Sequence, residues 1–107
     1  MATDKSYFVP TINRPHVNHS LFLGIVPTLI MPANVNRAGF ILQNPSDTND
    51  IWWGYDASVG PNVTGCFRIV GGDRRPFTAP PNGVWSGDLW AISDGGSRFT
   101  VYEYVQA

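Results

Sequence analysis

Short runs of apolar, aromatic and β-branched residues, each ended by turn formers, follow one another along most of the chain. Five such runs have the length of a strand, and they span residues 38–44, 51–55, 66–70, 88–93 and 98–104. Eleven glycines and nine prolines supply the turns that separate short strands and that helices tolerate poorly. The pattern predicts an all-β fold, a single small antiparallel β-sandwich or barrel-like domain.

The polar segments between these runs predict how the strands are connected. Residues 44–50 are nearly all turn formers, so we expect 38–44 and 51–55 to form a hairpin. The turn Asp94-Gly95-Gly96 predicts a second hairpin between the last two runs. Residues 38–44 carry apolar side chains on both faces and are expected to form a central strand. The three prolines of 74–81 indicate irregular chain or an edge strand.

The beginning of the chain has a different pattern. Residues 1–19 show neither strand alternation nor a helical period. Residues 20–31 are apolar enough to pair, but Pro27 lacks a backbone donor and either confines this segment to a sheet edge or splits it in two. We therefore expect residues 1–31 to form an extended N-terminal arm or edge strand and residues 32–107 to form the compact domain.

Charge and composition exclude several classes of function. Seven Lys and Arg against eight Asp and Glu give a net charge of −1, so the field that attracts nucleic acid or an anionic membrane is missing. The N-terminus has no apolar signal core, and the apolar run 21–31 is too short and too interrupted to span a bilayer. We expect a protein made in the cytoplasm that binds neither nucleic acid nor membrane.

Residue types that carry chemistry are present but not assembled into a site. Cys66 has no adjacent base and is expected to be a buried strand cysteine. His16 and His19 have metal-ligand spacing, yet their surroundings argue against a helix, so surface or interface histidines are expected. The acidic loop 47–50 lacks the ligand ladder of a calcium site, and Gly71 to Arg75 is interpreted as a turn with exposed arginines. The sequence thus predicts a non-enzyme without catalytic residues, cofactor or metal.

Four tryptophans in 107 residues are the most prominent feature of the composition. Trp52 and Trp53 are adjacent in a predicted strand, so their side chains point to opposite faces and only one of them can lie in the core. The other is expected at a subunit interface, beneath a loop or the arm, or at a stacking platform for a ligand.

From Pro32 onward the chain carries a series of strand and turn motifs that point to a family. The turn Pro32-Ala33-Asn34-Val35-Asn36-Arg37 precedes the strand Gly39 to Asn44, and the pattern continues through Asp50 to Tyr55 and Val70 to Asp73. It closes with Leu89 to Gly96 and Phe99 to Glu103. In these motifs, over about two-thirds of its length, the chain resembles small virion proteins of tailed bacteriophages.

The resemblance implies a non-enzymatic structural protein located in the virion. The favoured function is a capsid decoration or cement protein that binds the major capsid protein or another virion protein through its extended arm and an aromatic interface. It is expected to form a homo-oligomer, with a trimer favoured. The alternative is a carbohydrate- or receptor-binding module of a tail or fibre, with Trp52 or Trp53, Trp85 and Trp90 as platforms. The residues expected at the partner interface are apolar, aromatic or cationic: Phe8, Leu21, Phe22, Leu23, Ile25, Trp52, Trp53, Arg74, Arg75 and Trp85.

Overall fold

A computed structural model of the chain describes residues 15–72, the backbone of 77–78, and residues 84–106. These residues form nine strands and no helix. The strands are β1 (His16–Asn18), β2 (Leu21–Leu23), β3 (Thr28–Met31), β4 (Arg37–Gln43), β5 (Ile51–Gly54), β6 (Phe67–Ile69), β7 (Phe77–Thr78), β8 (Leu89–Ser93) and β9 (Ser97–Val105).

The strands pair into two antiparallel sheets, which confirms the predicted all-β class. The first sheet has the order β1-β9-β4-β7, and β2 also pairs with β9. β1 lies opposite residues 102–104 of β9, while β2 lies opposite residues 97–99. The second sheet has the order β3-β8-β5-β6. β4 is central and β7 is an edge strand, as the sequence predicted for 38–44 and allowed for 74–81.

One hydrophobic core fills the space where the two sheets face each other. Along β9 every second residue is buried from Ser97 to Glu103, as expected for a strand that presents one face to a core. Both sheets contribute apolar side chains to this core. They are Leu23, Ile30, Met31, Phe40, Leu42, Ile51, Trp53, Ile69, Leu89, Ala91, Phe99 and Val101.

Both hairpins predicted from the sequence are wrong. β4 and β5 belong to different sheets, and so do β8 and β9. The connections 44–50 and 94–96 instead carry the chain across the core from one sheet to the other. Each connected pair can then place its apolar faces against each other through the core, which a flat hairpin cannot do. A glycine-rich turn permits both a hairpin within one sheet and a crossing between two sheets. Burial of the apolar faces of the connected strands favours the crossing.

The described part of the predicted arm is integral to the sandwich. Residues 16–31 form β1, β2 and β3, with β2 and β3 in different sheets and Pro27 between them. Pro27 therefore splits the apolar segment in two, one of the outcomes expected. Leu23 and Met31 are fully buried and Ile30 nearly so. The predicted boundary at residue 32 therefore falls within one hydrophobic core, because side chains from both sides of it pack together.

Candidate functional site

Three connections cross between the sheets at the same end of the sandwich. Residues 24–27 join β2 to β3, residues 44–50 join β4 to β5, and residues 94–96 join β8 to β9. The backbone N–H of Ser93 donates to the carbonyl of Gly24 at 2.9 Å, and that of Asp94 donates to Asp50 at 3.1 Å. These bonds tie the three connections together, and we call this region the arc end.

A buried asparagine organises the arc end. The Asn44 amide nitrogen donates to the carbonyls of Asn49 at 2.8 Å and Ile69 at 3.1 Å, while its oxygen accepts from the Ser97 hydroxyl at 3.1 Å. The side chain of Asn49 in turn donates to the carbonyl of Gly96 at 2.6 Å. Asn44 is fully buried, so these bonds replace those that water would make. Asn44 and Asn49 thus join the 44–50 connection to β6, to the start of β9 and to the 94–96 connection.

Gly71 packs directly against the 44–50 connection. A Cβ atom at this position would lie 2.7 Å from the carbonyl carbon of Thr48 and 2.8 Å from the nitrogen of Asn49. The Gly71 N–H donates to the Asp50 carboxylate at 2.8 Å. This bond, assisted by Arg68 and opposed by partial burial, holds the pKa of Asp50 below its ordinary value.

The arc end exposes four large apolar side chains within eight consecutive residues. Phe22 is 71% exposed, Ile25 67% and Val26 62%, and Leu29 follows on β3 at 41%. Single exposed apolar residues are normal on a protein surface, but four large ones within eight residues of sequence are a feature of interaction sites. We call these four residues the apolar ridge.

A groove of about 350 Å³ lies beside the apolar ridge. Phe22 and Arg98 stand opposite each other in the β2–β9 pairing and both line the groove. Arg98 is exposed and forms no ion pair with any described residue. The other lining residues are Ser20, Leu21, Pro45, Phe99 and Thr100. The groove therefore combines an aromatic wall with an uncompensated positive charge.

The opposite end of the sandwich contains a buried ion pair. Arg37 Nε donates to Glu103 Oε2 at 2.7 Å, and the two side chains are 0% and 4% exposed. The same guanidinium donates to the carbonyls of Pro32, Trp85 and Gly87. Its bonds thereby fasten the segment carrying Trp85 to the body of the sandwich.

Glu103 has a second partner in addition to Arg37. His19 Nε2 lies 2.9 Å from Glu103 Oε1. Burial by itself raises the pKa of Glu103, but the hydrogen bonds and charges of His19 and Arg37 outweigh burial and hold that pKa below its ordinary value. The carboxylate is therefore stabilised in its ionised form within the fold.

An aromatic cluster covers the surface at this same end. Trp53 is buried beneath it, with its ring centroid 4.8 Å from that of Phe67 and 6.0 Å from that of Tyr55. The Tyr55 and Trp85 rings stack at 4.5 Å with an interplanar angle of 25°. Phe67, Tyr55 and Trp85 are each between two-fifths and half exposed. We call these three exposed residues the aromatic platform.

The adjacent tryptophans divide between core and surface as the sequence predicted. Trp53 lies in the core, whereas Trp52 is half-buried on the outer face of the second sheet. The guanidinium carbon of Arg68 lies 5.3 Å from the Trp52 ring centroid, within range of a cation–π interaction. Arg68 Nε also donates to Asp50 Oδ2 at 2.8 Å. The buried Trp52 Nε1 has no acceptor among the described residues.

The structure separates the residues predicted at the partner interface. Phe22, Ile25 and Trp85 are exposed, while Leu21 and Trp52 are half-buried. Leu23 and Trp53 are core residues, because alternation along their strands turns them inward, and this corrects the interface prediction for both. The described members also fall at different places: Phe22 and Ile25 are at the arc end, and Trp85 is at the opposite end. Phe8, Arg74 and Arg75 lie outside the described residues.

Of the residues considered for chemistry, Cys66 and His19 have different environments from those expected, whereas His16 is exposed as expected. Cys66 precedes β6 and is half-buried, so the prediction of a buried strand cysteine is wrong. His16 is exposed on β1 beside the rings of Tyr102 and Tyr104. His19, by contrast, is partly buried and bonds Glu103. Within the described ranges no three His, Cys, Asp or Glu side chains form a group that could hold a metal ion.

Sequence reasoning missed the residues that shape the second end of the sandwich. Tyr55 follows Trp53 at a spacing of two, which places both on one face of an extended chain. Glu103 occupies an inward position in the alternating pattern of β9, and a lone carboxylate at such a position indicates a buried pair. No local signal marks Arg37 as its partner, because 66 residues separate them.

The exposed groups at both ends suit recognition by shape and apolar contact. The described residues include no helix long and apolar enough to cross a membrane. No protein-family model, no curated protein and no solved structure matches the chain.

Proposed function

We propose that the protein is a non-enzymatic structural protein of a tailed-phage virion, a decoration or cement protein that binds the major capsid protein or another virion protein. The apolar ridge is the observation that carries this proposal. Phe22, Ile25 and Val26 expose more than half of their surface, and the Ser93 N–H ties their segment to β8 through the carbonyl of Gly24. A partner that covers them gains burial without having to order a loop.

The groove beside the ridge supports the same proposal. Arg98 offers a positive charge next to the Phe22 ring, a combination typical of protein interface cores, in which arginine and aromatic residues are enriched. The proposed partner surface therefore carries apolar residues against Phe22 and Ile25 and a carboxylate within reach of Arg98.

Co-sedimentation with capsid shells tests the proposal. Shells assembled from the major capsid protein of the same genome, but lacking this protein, would be mixed with the purified chain and pelleted. The amount of wild-type chain that pellets with the shells is expected to saturate at a fixed number of copies per shell, one for each symmetry-related site. Absence of binding to shells and to complete particles would refute the assignment.

A double variant locates the contact. Phe22→Ser with Ile25→Ser removes two apolar contacts of about 1–2 kcal/mol each, which predicts binding about 30- to 1,000-fold weaker. Val35→Ser is the matched control, because Val35 is 87% exposed but lies in the turn before β4, away from the ridge. Equal affinities of the double variant and the control would exclude the ridge as the contact.

We also propose that the chain forms a homo-oligomer, with a trimer favoured. Molecular mass from sedimentation equilibrium distinguishes one chain from three. A monomer at all concentrations would remove this part of the proposal and leave the capsid contact to the shell experiment.

A further inference from the structure

Tyr55 belongs both to the aromatic platform and to a small polar pocket. The pocket has a volume of about 130 Å³ and lies between the end of β5 and the residues that precede β6. Tyr55, Asp56, Ser58, Thr64 and Cys66 line it together with Gly54, Val59 and Gly65. It is smaller than the roughly 300–1,000 Å³ of sites that enclose a whole ligand, so it can hold only one edge of a ligand.

The polar groups of this pocket are acceptors and hydroxyls. Asp56 Oδ1 accepts hydrogen bonds from the Ser58 N–H and the Ser58 hydroxyl, and these bonds lower the pKa of Asp56. Its second oxygen, Oδ2, accepts none from the described part of the chain. Thr64 adds a hydroxyl that can donate or accept. The pocket therefore presents a fixed carboxylate acceptor and a hydroxyl beside an aromatic ring.

Charge restricts the class of ligand. The pocket is lined by one carboxylate and by no arginine, lysine or histidine. A phosphate or another anion would be repelled by Asp56 and would find no cation to pair with there. A neutral ligand with hydroxyl donors on one edge and an apolar face fits both the pocket and the platform.

We propose that the aromatic platform and this pocket form a binding site for a neutral saccharide. The C–H face of a pyranose ring lies on the face of the Tyr55 ring that does not stack on Trp85, and a hydroxyl on the edge of the sugar ring enters the pocket and donates to Asp56 Oδ2. This site lies at the end of the strands opposite the apolar ridge, so it is separate from the proposed capsid contact.

The platform is arranged before a ligand arrives. Arg37 bonds the carbonyls of Trp85 and Gly87, and the Trp85 indole N–H donates to the carbonyl of Asp88 at 2.8 Å. Tyr55 stacks on the Trp85 ring and also contacts Phe67 at a centroid distance of 6.1 Å. A ring held from several sides loses little conformational entropy when a ligand covers it.

Saturation-transfer NMR tests the site with the methyl glycosides of glucose, galactose, mannose and N-acetylglucosamine. At least one of them is expected to bind in the millimolar range, with the strongest transfer to its ring C–H protons. Tyr55→Ala should weaken binding roughly 5- to 150-fold, taking as the guide the loss seen when a ring that stacks on a nucleobase is removed. Asp56→Asn, which keeps the Ser58 bonds but replaces one acceptor, should weaken binding about tenfold.

Two controls separate this site from general damage and from the capsid contact. Tyr55→Phe keeps the ring and should retain binding, so that loss in Tyr55→Ala alone reports on stacking. Phe22→Ser should leave saccharide binding unchanged, and Tyr55→Ala should leave shell binding unchanged. Transfer to none of the four glycosides, or binding that survives both Tyr55→Ala and Asp56→Asn, would overturn the proposal.

Discussion

Replacing Arg37 by methionine tests the buried ion pair that fastens the Trp85 segment. Methionine keeps an unbranched chain of similar length but removes the guanidinium and its bonds to Glu103 and to three backbone carbonyls. Among the described residues, His19 is then the only one that still bonds the Glu103 carboxylate. We expect the free energy of unfolding to fall far more than it would after the loss of a surface charge.

The magnitude follows from burial. Removing one partner of a buried ion pair costs about 3–5 kcal/mol, because the other charge remains out of water. A domain of this length has a free energy of unfolding of about 5–15 kcal/mol, so the variant loses a large part of its stability. The midpoint of thermal unfolding should fall by about 12–20 °C, at roughly 4 °C for each kcal/mol.

The dependence on pH gives a second readout with a definite sign. The pKa of Glu103 in the folded protein lies below its ordinary value of 4.5. Its contribution to stability is therefore complete above pH 4.5 and is lost as the pH falls through the lower, folded value. In Arg37→Met, protonation of Glu103 relieves the buried charge. The stability difference between wild type and variant should therefore shrink as the pH falls below 4.5.

Urea unfolding followed by tryptophan fluorescence, at neutral pH and near pH 4, measures both effects. Arg68→Met is the matched control, since Arg68 pairs with Asp50 while half of its side chain is exposed to solvent. Loss of this exposed pair and of the contact with Trp52 should cost no more than about 1.5 kcal/mol. If both variants lose the same stability, or if the Arg37→Met deficit grows in acid, the explanation by a buried pair is refuted.

Three further changes test the packing. Gly71→Ala should destabilise the protein by about 1–3 kcal/mol in thermal unfolding, because the added methyl group meets backbone atoms. Gly24→Ala is the control: its methyl group meets nothing within 4 Å, so the free energy of unfolding should change by no more than about 0.5 kcal/mol. Asn44→Ala should cost about 2–4 kcal/mol, because buried carbonyls lose their donor, and exposed Asn18→Ala should cost far less. Deletion of residues 1–31 should abolish cooperative unfolding in circular dichroism, and a folded remainder would contradict the shared core.

Much of the secondary structure could be predicted from the sequence because its signals are local. Alternation with a period of two marks β9, and prolines and asparagines mark the breaks between strands. The same periodicity separated Trp52 from Trp53. These features depend only on neighbouring residues, so they survive without knowledge of the fold.

The tertiary structure alone decided which strands pair. The turn at Gly95 and Gly96 is compatible with a hairpin and with a crossing between sheets, and only the burial of the connected strands against each other selects the crossing. The same holds for the 44–50 connection, where Asn44 binds groups from three parts of the chain.

The candidate sites divide in the same way. The sequence by itself identified the apolar segment that contains Phe22 and Ile25, because composition shows where apolar residues are concentrated. It did not show that Leu23 turns inward while its neighbour stays exposed, nor that Tyr55 and Trp85 stack across 30 residues of chain. Local patterns determine what each segment forms. Contacts between distant segments determine what the surface presents, because burial depends on the partner that each face meets.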